Sequence, residues 1–154
     1  MKTIKVQKLT EAAFAPFGKV LTSEGLTPGG NPASHLWFPQ VVVIDDPTSV
    51  NLMTVKEHPF VIKDFEAHDH TVENLLPLDG DLIVAFAPAG ALKAENVAAF
   101  YIPQGLGICA DPKVWHAVPF AVGKDVRSIV VFKNNTSNED IYFSSLDEEY
   151  GVEL

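Results

Sequence analysis

The sequence predicts an all-β fold with roughly ten short strands. Apolar or β-branched runs bounded by Gly, Pro and Asp recur along the chain, and no long segment shows the apolar period of a helix. Hydrophobic residues make up 47% and charged residues 20%, as in ordinary globular proteins. A length of 154 residues fits one domain with a sizeable core, so residues 1–154 are predicted to form a single domain.

Helix is predicted only near the N-terminus, and a long loop follows it. Thr10 should cap one helical turn from Glu11 to Ala15, which Pro16 ends because proline cannot continue a helix. From Ser23 to Pro39, Gly and Pro are so frequent that the segment is predicted to be a loop. The acidic tail Asp147–Leu154 is expected to be a terminal helical turn or a frayed end.

The predicted strands are short and are separated by turn signals. The first is centred on Ile4 and Val6, which alternate with polar neighbours. The others are Gly18–Leu21, Gln40–Ile44, Asn51–Val55, Asp64–His70, Leu82–Ala87, Ala98–Ile102, Gly107–Cys109, His116–Phe120, Val126–Phe132 and Ile141–Phe143.

Composition argues against several classes of partner. The net charge is −9, Arg127 is the only arginine and there is no basic cluster, so nucleic acid is not an expected partner. No apolar run is long enough to span a membrane and no signal-peptide core is present, so a cytoplasmic protein is expected. The single Cys109 permits no internal disulfide and is expected to be a small buried residue.

One strand concentrates ionisable residues on a single face. If Asp64–His70 is extended, alternation places the apolar Phe65 and Ala67 on one side. The opposite side would then carry four ionisable groups: Asp64, Glu66, His68 and His70. That face must look into water or into a polar cavity.

A His-x-His-x-x-Glu pattern within this stretch has the chemistry of a metal site. His68, His70 and Glu73 are followed by the turn Pro77–Gly80, and imidazole and carboxylate are ligands that divalent metals use. Glu73 lies at an odd offset from His70, so it can join them only if a bulge, a corner or the next strand redirects it. A solvent-facing edge strand that merely carries histidines is the alternative.

A second stretch, Pro112–Pro119, contributes His116 where a loop enters the sheet. A lone histidine there is more often a hydrogen-bonded structural residue than a ligand. Its combination with the earlier pattern favours a site, and we predict that His68 and His116 converge in one cavity.

These two motifs resemble those of the cupins, in which His-x-His, a Glu and Pro-x-x-Gly are followed by one later His. The resemblance implies a cupin-like double-stranded β-helix, or jelly-roll barrel, with very little helix. Small jelly rolls leave apolar faces or edges that a two-fold partner can cover, so a homodimer is expected.

A closer resemblance, over most of the chain, is to the ureidoglycolate lyase family, long called ureidoglycolate hydrolases. The matching positions are Leu9–Phe14, Phe17, Gly18, Glu66, His68, Pro77–Gly80, Leu82–Ala87, Phe100, Gly107 and Val114–His116. The chain departs from the family pattern at Lys19, Lys56, Ala117, Phe132 and Lys133.

The family cleaves ureidoglycolate to glyoxylate and urea in purine and allantoin breakdown, and the resemblance implies the same reaction on a small carboxylate substrate. It implies a divalent metal such as nickel, zinc or manganese, held by His68, His70, Glu73 and His116. Glu66 and Lys56 would be catalytic, and Lys56 and Trp115 would bind substrate.

The sequence is also compatible with two other functions. A cupin that binds a small carboxylate or a sugar without turnover is favoured by the departures at Lys19, Ala117 and Phe132. A metal-free structural relative is the third possibility.

Overall fold

The computed structural model describes residues 1–154 and confirms the all-β prediction. Helix is limited to α1 (Glu11–Phe14), α2 (Thr136–Glu139) and a 3₁₀ turn at Ala94–Asn96. The strands are β1 (Lys2–Lys8), β2 (Gly18–Leu21), β3 (Thr48–Val55), β4 (Val61–Ala67), β5 (Glu73–Pro77), β6 (Leu82–Ala87), β7 (Ala98–Ile102), β8 (Gly107–Ala110), β9 (Trp115–His116), β10 (Phe120–Ala121), β11 (Val126–Lys133) and β12 (Tyr142–Glu153). None of the helices is long and apolar enough to cross a membrane.

The strands form two sheets. The larger has the order β10-β6-β7-β1-β12-β4-β9, and an extra pairing between β6 and β9 closes it on itself. The smaller has the order β2-β8-β5-β11-β3, which leaves β3 as an edge strand. All pairings are antiparallel except those of β1, whose first half runs parallel to β12 and whose second half runs parallel to β7.

Two apolar cores lie on opposite faces of the larger sheet. Successive residues of β6 alternate between them, with Val84 and Phe86 in one cluster and Ile83 and Ala85 in the other. This explains why every residue of β6 is buried. The first core also contains residues of the smaller sheet, so it fills the space between the sheets.

Helix α1 closes one side of the first core. The hydroxyl of Thr10 accepts a hydrogen bond from the Ala13 N–H at 3.1 Å, as the predicted cap requires. The turn places Phe14 edge-on against Phe86 and Phe100, with ring centroids 5.1 and 5.3 Å apart. Phe14 is fully buried, so this helical turn is held by packing rather than by its own length.

Strand β2 approaches β8 so closely that residue 18 must be glycine. A Cβ atom there would lie 1.9 Å from the Cys109 carbonyl oxygen, and the φ angle of Gly18 is +148°. Cys109 itself is buried, as predicted.

Two sequence predictions are wrong. Gln40–Ile44 is not a strand, because Gln40 adopts a left-handed φ of 57° that breaks the extended backbone. The tail is neither helical nor frayed, because residues up to Glu153 belong to β12 and pair with β1, which buries Tyr150 and Val152.

A third segment was predicted as one strand but forms two. His116–Phe120 splits into β9 and β10. Pro119 has no N–H to donate to a ladder, and the chain bends away between the two short strands.

Candidate active site and metal centre

Four ionisable side chains converge between the two sheets. Glu66 comes from β4, His68 follows the end of β4, Glu73 begins β5, and His116 ends β9. One ligand atom from each lies within 4.8 Å of all the others. The imidazole centroids of His68 and His116 are 5.1 Å apart, which confirms that they converge.

The backbone explains how residues of uneven spacing meet. Glu66 and His116 are direct cross-strand partners on β4 and β9. The chain leaves the larger sheet after Ala67, and Glu73 opens β5 in the smaller sheet. The odd offset of Glu73 is therefore resolved by the next strand, which faces the cavity from the opposite side.

Both histidines are oriented by hydrogen bonds from Nδ1 to backbone carbonyls. His68 Nδ1 lies 2.7 Å from the carbonyl oxygen of Asp140, and His116 Nδ1 lies 3.3 Å from that of Val114. A carbonyl oxygen can only accept, so each Nδ1 carries the proton. Each Nε2 atom is thereby left to bind a proton or a metal inside the cavity.

The two Nε2 atoms are directed at the same carboxylate. Glu73 Oε2 lies 3.0 Å from His68 Nε2 and 3.5 Å from His116 Nε2. Glu66 Oε1 lies 3.3 Å from His116 Nε2. The side chain of Glu66 is 32% exposed, twice the 16% of Glu73, so Glu66 is nearer the mouth of the cavity.

Opposite charges outweigh burial in setting the pKa values of this group. Burial would lower the pKa of His116, but the carboxylates of Glu73 and Glu66 raise it to about 9. Burial would also lower the pKa of His68, but its contact with Glu73 raises it. For Glu73, burial favours the protonated form, yet His116 and His68 hold its pKa below the usual value. At neutral pH the metal-free site therefore keeps the Glu73 carboxylate beside a protonated His116.

The cavity around these groups is otherwise apolar. It has a volume of about 90 Å³. Its walls include Met53, Leu75, Val84, Phe86, Ile108 and Val118, and no Lys or Arg lines it. A charged ligand entering this space would meet only the two carboxylates and His116 as ionisable wall groups.

The donor set fits a divalent metal. His116 Nε2 is buried and has no hydrogen-bond partner of acceptable geometry, although two carboxylates lie near it. Such an atom is costly to bury unless something binds it. Two imidazoles and two carboxylates with converging atoms are a ligand set that zinc, nickel or manganese accepts, and their charge would balance a divalent ion.

His70, predicted as a ligand, lies outside this cluster. Its side chain is 68% exposed, and its Nδ1 atom lies 3.2 Å from Asp140 Oδ1. The alternation that would have brought it beside His68 ends with β4 at Ala67. In the structure, Glu66 completes the group of four in its place.

Lys56 and Trp115, predicted to contact substrate, do not line the cavity. Lys56 is 73% exposed and pairs with Asp125. The Trp115 indole N–H donates to the Gly90 carbonyl oxygen at 2.8 Å, and its ring packs against the second core. Asp64, on the same strand as Glu66, is exposed and accepts a hydrogen bond from the Ser145 hydroxyl.

Sequence reasoning missed two residues that support His68. The backbone N–H of Lys113 donates to the His68 carbonyl oxygen at 2.6 Å, from a left-handed backbone with φ of 69°. Asp140 accepts from the backbone N–H groups of Asp69 and His70 at 2.9 and 2.8 Å. Asp140 lies in no sequence motif, and Lys113 lies in the second stretch without a signal of its own, because both contacts join segments far apart in the chain.

Comparisons with known proteins identify the family of the chain. The family model described as ureidoglycolate lyase matches residues 1–153. A ureidoglycolate lyase from Burkholderia mallei is 34% identical over 140 residues, covering 85% of this chain and 82% of that protein. One from Pseudomonas paraeruginosa is 27% identical over 160 residues, covering 97% and 95%.

A solved structure supports the fold. The dTDP sugar isomerase from Desulfovibrio desulfuricans G20 aligns with a TM-score of 0.55 at 14% identity, covering 86% of this chain and 87% of that one. The predicted cupin-like barrel is thereby confirmed. Since the family model spans almost the whole sequence, the chain belongs to the ureidoglycolate lyase family.

Proposed function

We propose that this protein is a ureidoglycolate lyase that cleaves ureidoglycolate to glyoxylate and urea. Family membership supports the reaction, and one structural observation carries it: two oriented imidazole Nε2 atoms and two carboxylates converge, and three of these four groups line an otherwise apolar cavity. Such a polar cluster in an apolar pocket is the usual form of an enzyme site.

We assign His68, Glu73 and His116 as ligands of a divalent metal. They are the three more buried members of the cluster, and both imidazoles present Nε2 to Glu73. When bound, the ion supplies a Lewis acid for the substrate carboxylate and hydroxyl, and it lowers the pKa of that hydroxyl.

Glu66 is assigned as the general base and acid. It lies nearest the cavity mouth, and its carboxylate reaches the same space as the ligands. It accepts the proton of the substrate hydroxyl while the carbonyl of glyoxylate forms. The carbon–nitrogen bond breaks with its electron pair on nitrogen, and Glu66 returns the proton there, so urea leaves neutral.

The wall composition makes substrate binding dependent on the metal. No Lys or Arg lines the cavity, Lys56 lies outside it, and the protonated His116 is already paired with Glu66 and Glu73. With metal absent, the carboxylates of Glu66 and Glu73 would repel the substrate carboxylate. A divalent ion would balance the charge of the two carboxylates and would offer an open coordination position to the substrate carboxylate.

The test compares two variants for metal content and for glyoxylate release. Glu66→Gln should keep bound metal and lose turnover by a factor of about 100 or more, as expected for a lost acid–base group. His116→Ala should lose both metal and turnover because it removes a ligand. Equal turnover of wild type and Glu66→Gln would contradict the assigned base. Substrate binding without turnover by loaded wild type would favour the alternative of a binding protein.

We also propose a homodimer formed through the outer face of the smaller sheet. Leu52, on the edge strand β3 of this sheet, is 85% exposed. Its cross-strand neighbours complete an apolar patch of Val50, Leu52, Leu76, Ile129 and Val131. An exposed apolar patch of this kind is typical of a protein interface.

The charges around this patch favour a second copy as its partner. One end carries the ion pair between Arg127 and Asp79, and the other carries Lys133 near Asp46. Each end of the patch therefore carries both a positive and a negative charge, so a two-fold copy can pack in either direction without a like-charge clash.

A cytoplasmic location is proposed from the single buried free thiol, Cys109.

A further inference from the structure

We propose that Asp140 is the positioning residue of the metal centre and acts through His68. This inference rests on the metal site proposed above. Asp140 lies just before β12 and is buried, although it contacts none of the cavity. The role is argued from four hydrogen bonds that it makes to the segment from His68 to His70.

The backbone carbonyl of Asp140 sets the orientation of His68. It accepts the Nδ1–H of that imidazole at 2.7 Å. The bond fixes both the ring plane and the tautomer, so that Nε2 is the atom presented to the cavity. A shift of this carbonyl would turn the ring or free it to rotate.

The carboxylate of Asp140 holds the backbone on which His68 sits. Oδ1 accepts from the Asp69 N–H and Oδ2 from the His70 N–H. Oδ1 also lies 3.2 Å from His70 Nδ1. These contacts fix the turn by which the chain leaves β4 for β5, where neither sheet supplies ladder bonds. His70 thus belongs to the support of the site.

Asp140 is itself anchored, so that it can act as a fixed point. Its N–H donates to the Thr136 carbonyl oxygen at 2.9 Å. The Thr136 hydroxyl is bonded to the Lys133 carbonyl oxygen at the end of β11. Two residues after Asp140, Tyr142 pairs with Ala67, the last residue of β4. The support therefore connects His68 to both sheets.

The experiment measures zinc affinity by competition with a chromophoric chelator, using the full-length protein. Asp140→Ala should weaken binding by about 10- to 100-fold, the usual effect of removing a residue that orients a ligand. Asp140→Asn can still accept one backbone N–H through its amide oxygen, so it should recover part of this loss. The visible spectrum of bound nickel should change in Asp140→Ala, because a rotated imidazole alters the ligand geometry.

Asp81→Ala is the matched control. Asp81 also accepts one backbone N–H and one side-chain donor, from Gln104 and Tyr101, but it lies outside the cavity. It should lower stability and leave zinc affinity unchanged. An equal loss of affinity in Asp81→Ala would overturn the inference, since the effect would then be general destabilisation.

Other outcomes also decide the matter. Wild-type zinc affinity in folded Asp140→Ala would overturn the role of Asp140 alone. If that variant does not fold, wild-type affinity in Asp140→Asn would do the same. Failure of the wild-type protein to bind zinc, nickel or manganese would overturn the proposed metal site and this inference with it.

Discussion

The metal-free protein should lose stability as pH rises from about 6.5 to about 9, because the folded state binds a proton on His116 that the unfolded state releases earlier. Burial opposes this proton, but Glu73 and Glu66 raise the pKa of His116 from 6.5 to about 9. A group whose pKa is raised on folding stabilises the folded state. This contribution is fully present when the pH is below the pKa of the group in the unfolded chain, and it is lost as the pH rises through the pKa in the folded state. His68, whose pKa is also raised, adds an effect of the same sign.

The size of the effect follows from the pKa values. A tenfold change in proton affinity corresponds to about 1.4 kcal/mol, so the rise on His116 corresponds to roughly 3 kcal/mol of unfolding free energy. Because the His116 side chain is only 8% exposed, solvent screening reduces this little. Urea denaturation of chelator-treated protein at pH 6.5 and 9 measures the difference.

A variant and a metal addition sharpen this test. Glu73→Gln removes the largest favourable charge, so most of the pH dependence should vanish. With zinc present the dependence should reverse, because metal binding requires deprotonated imidazoles. Equal stability of metal-free wild type at both pH values would refute the reasoning, as would an unchanged dependence in Glu73→Gln.

Three further predictions concern other parts of the molecule. Leu52→Lys should convert the dimer to a monomer in light scattering, whereas Leu36→Lys, at another exposed leucine, should not; a monomeric wild type would contradict the interface. Lys113→Gly should leave urea stability unchanged or raise it by up to about 1 kcal/mol, since φ is 69° there, whereas Lys113→Val should lower it; the opposite order would contradict the strain. Burial raises the pKa of the Cys109 thiol to about 11, so it should react with a disulfide reagent at pH 8 only after unfolding; rapid reaction of folded protein would contradict this.

Alternation and turn signals were sufficient to predict most strands. Gly18–Leu21, Leu82–Ala87 and Ala98–Ile102 have the predicted bounds because local apolar patterns and glycine or proline boundaries coincide there. Only the start of β12 was predicted, as the strand Ile141–Phe143, because the acidic sequence that follows gives a weak local strand signal. Its structure depends on pairing with β1 and β4, which lie far away in the sequence.

In the site, too, local sequence patterns predict only part of the structure. His68 and His116 were predicted to converge because two motifs of one barrel must meet, and the structure brings them together. Local periodicity also placed His70 beside His68, but the strand ends at Ala67, so the period does not extend that far. The role of Asp140 depends on a contact between distant segments, which no local pattern encodes.

The lyase reaction itself is the central claim, and a metal titration tests it most directly. Glyoxylate release from ureidoglycolate should be measured with chelator-treated protein while nickel, zinc or manganese is added stepwise. Without metal the rate should equal the spontaneous rate, because no Lys or Arg lines the cavity and the protonated His116 there is already paired with the carboxylates of Glu66 and Glu73. With at least one of these metals the rate should rise and level off at about one ion per chain, as a single cluster of ligands requires. Release that stays at the spontaneous rate with all three metals, or that is equally fast in excess chelator, would contradict the account.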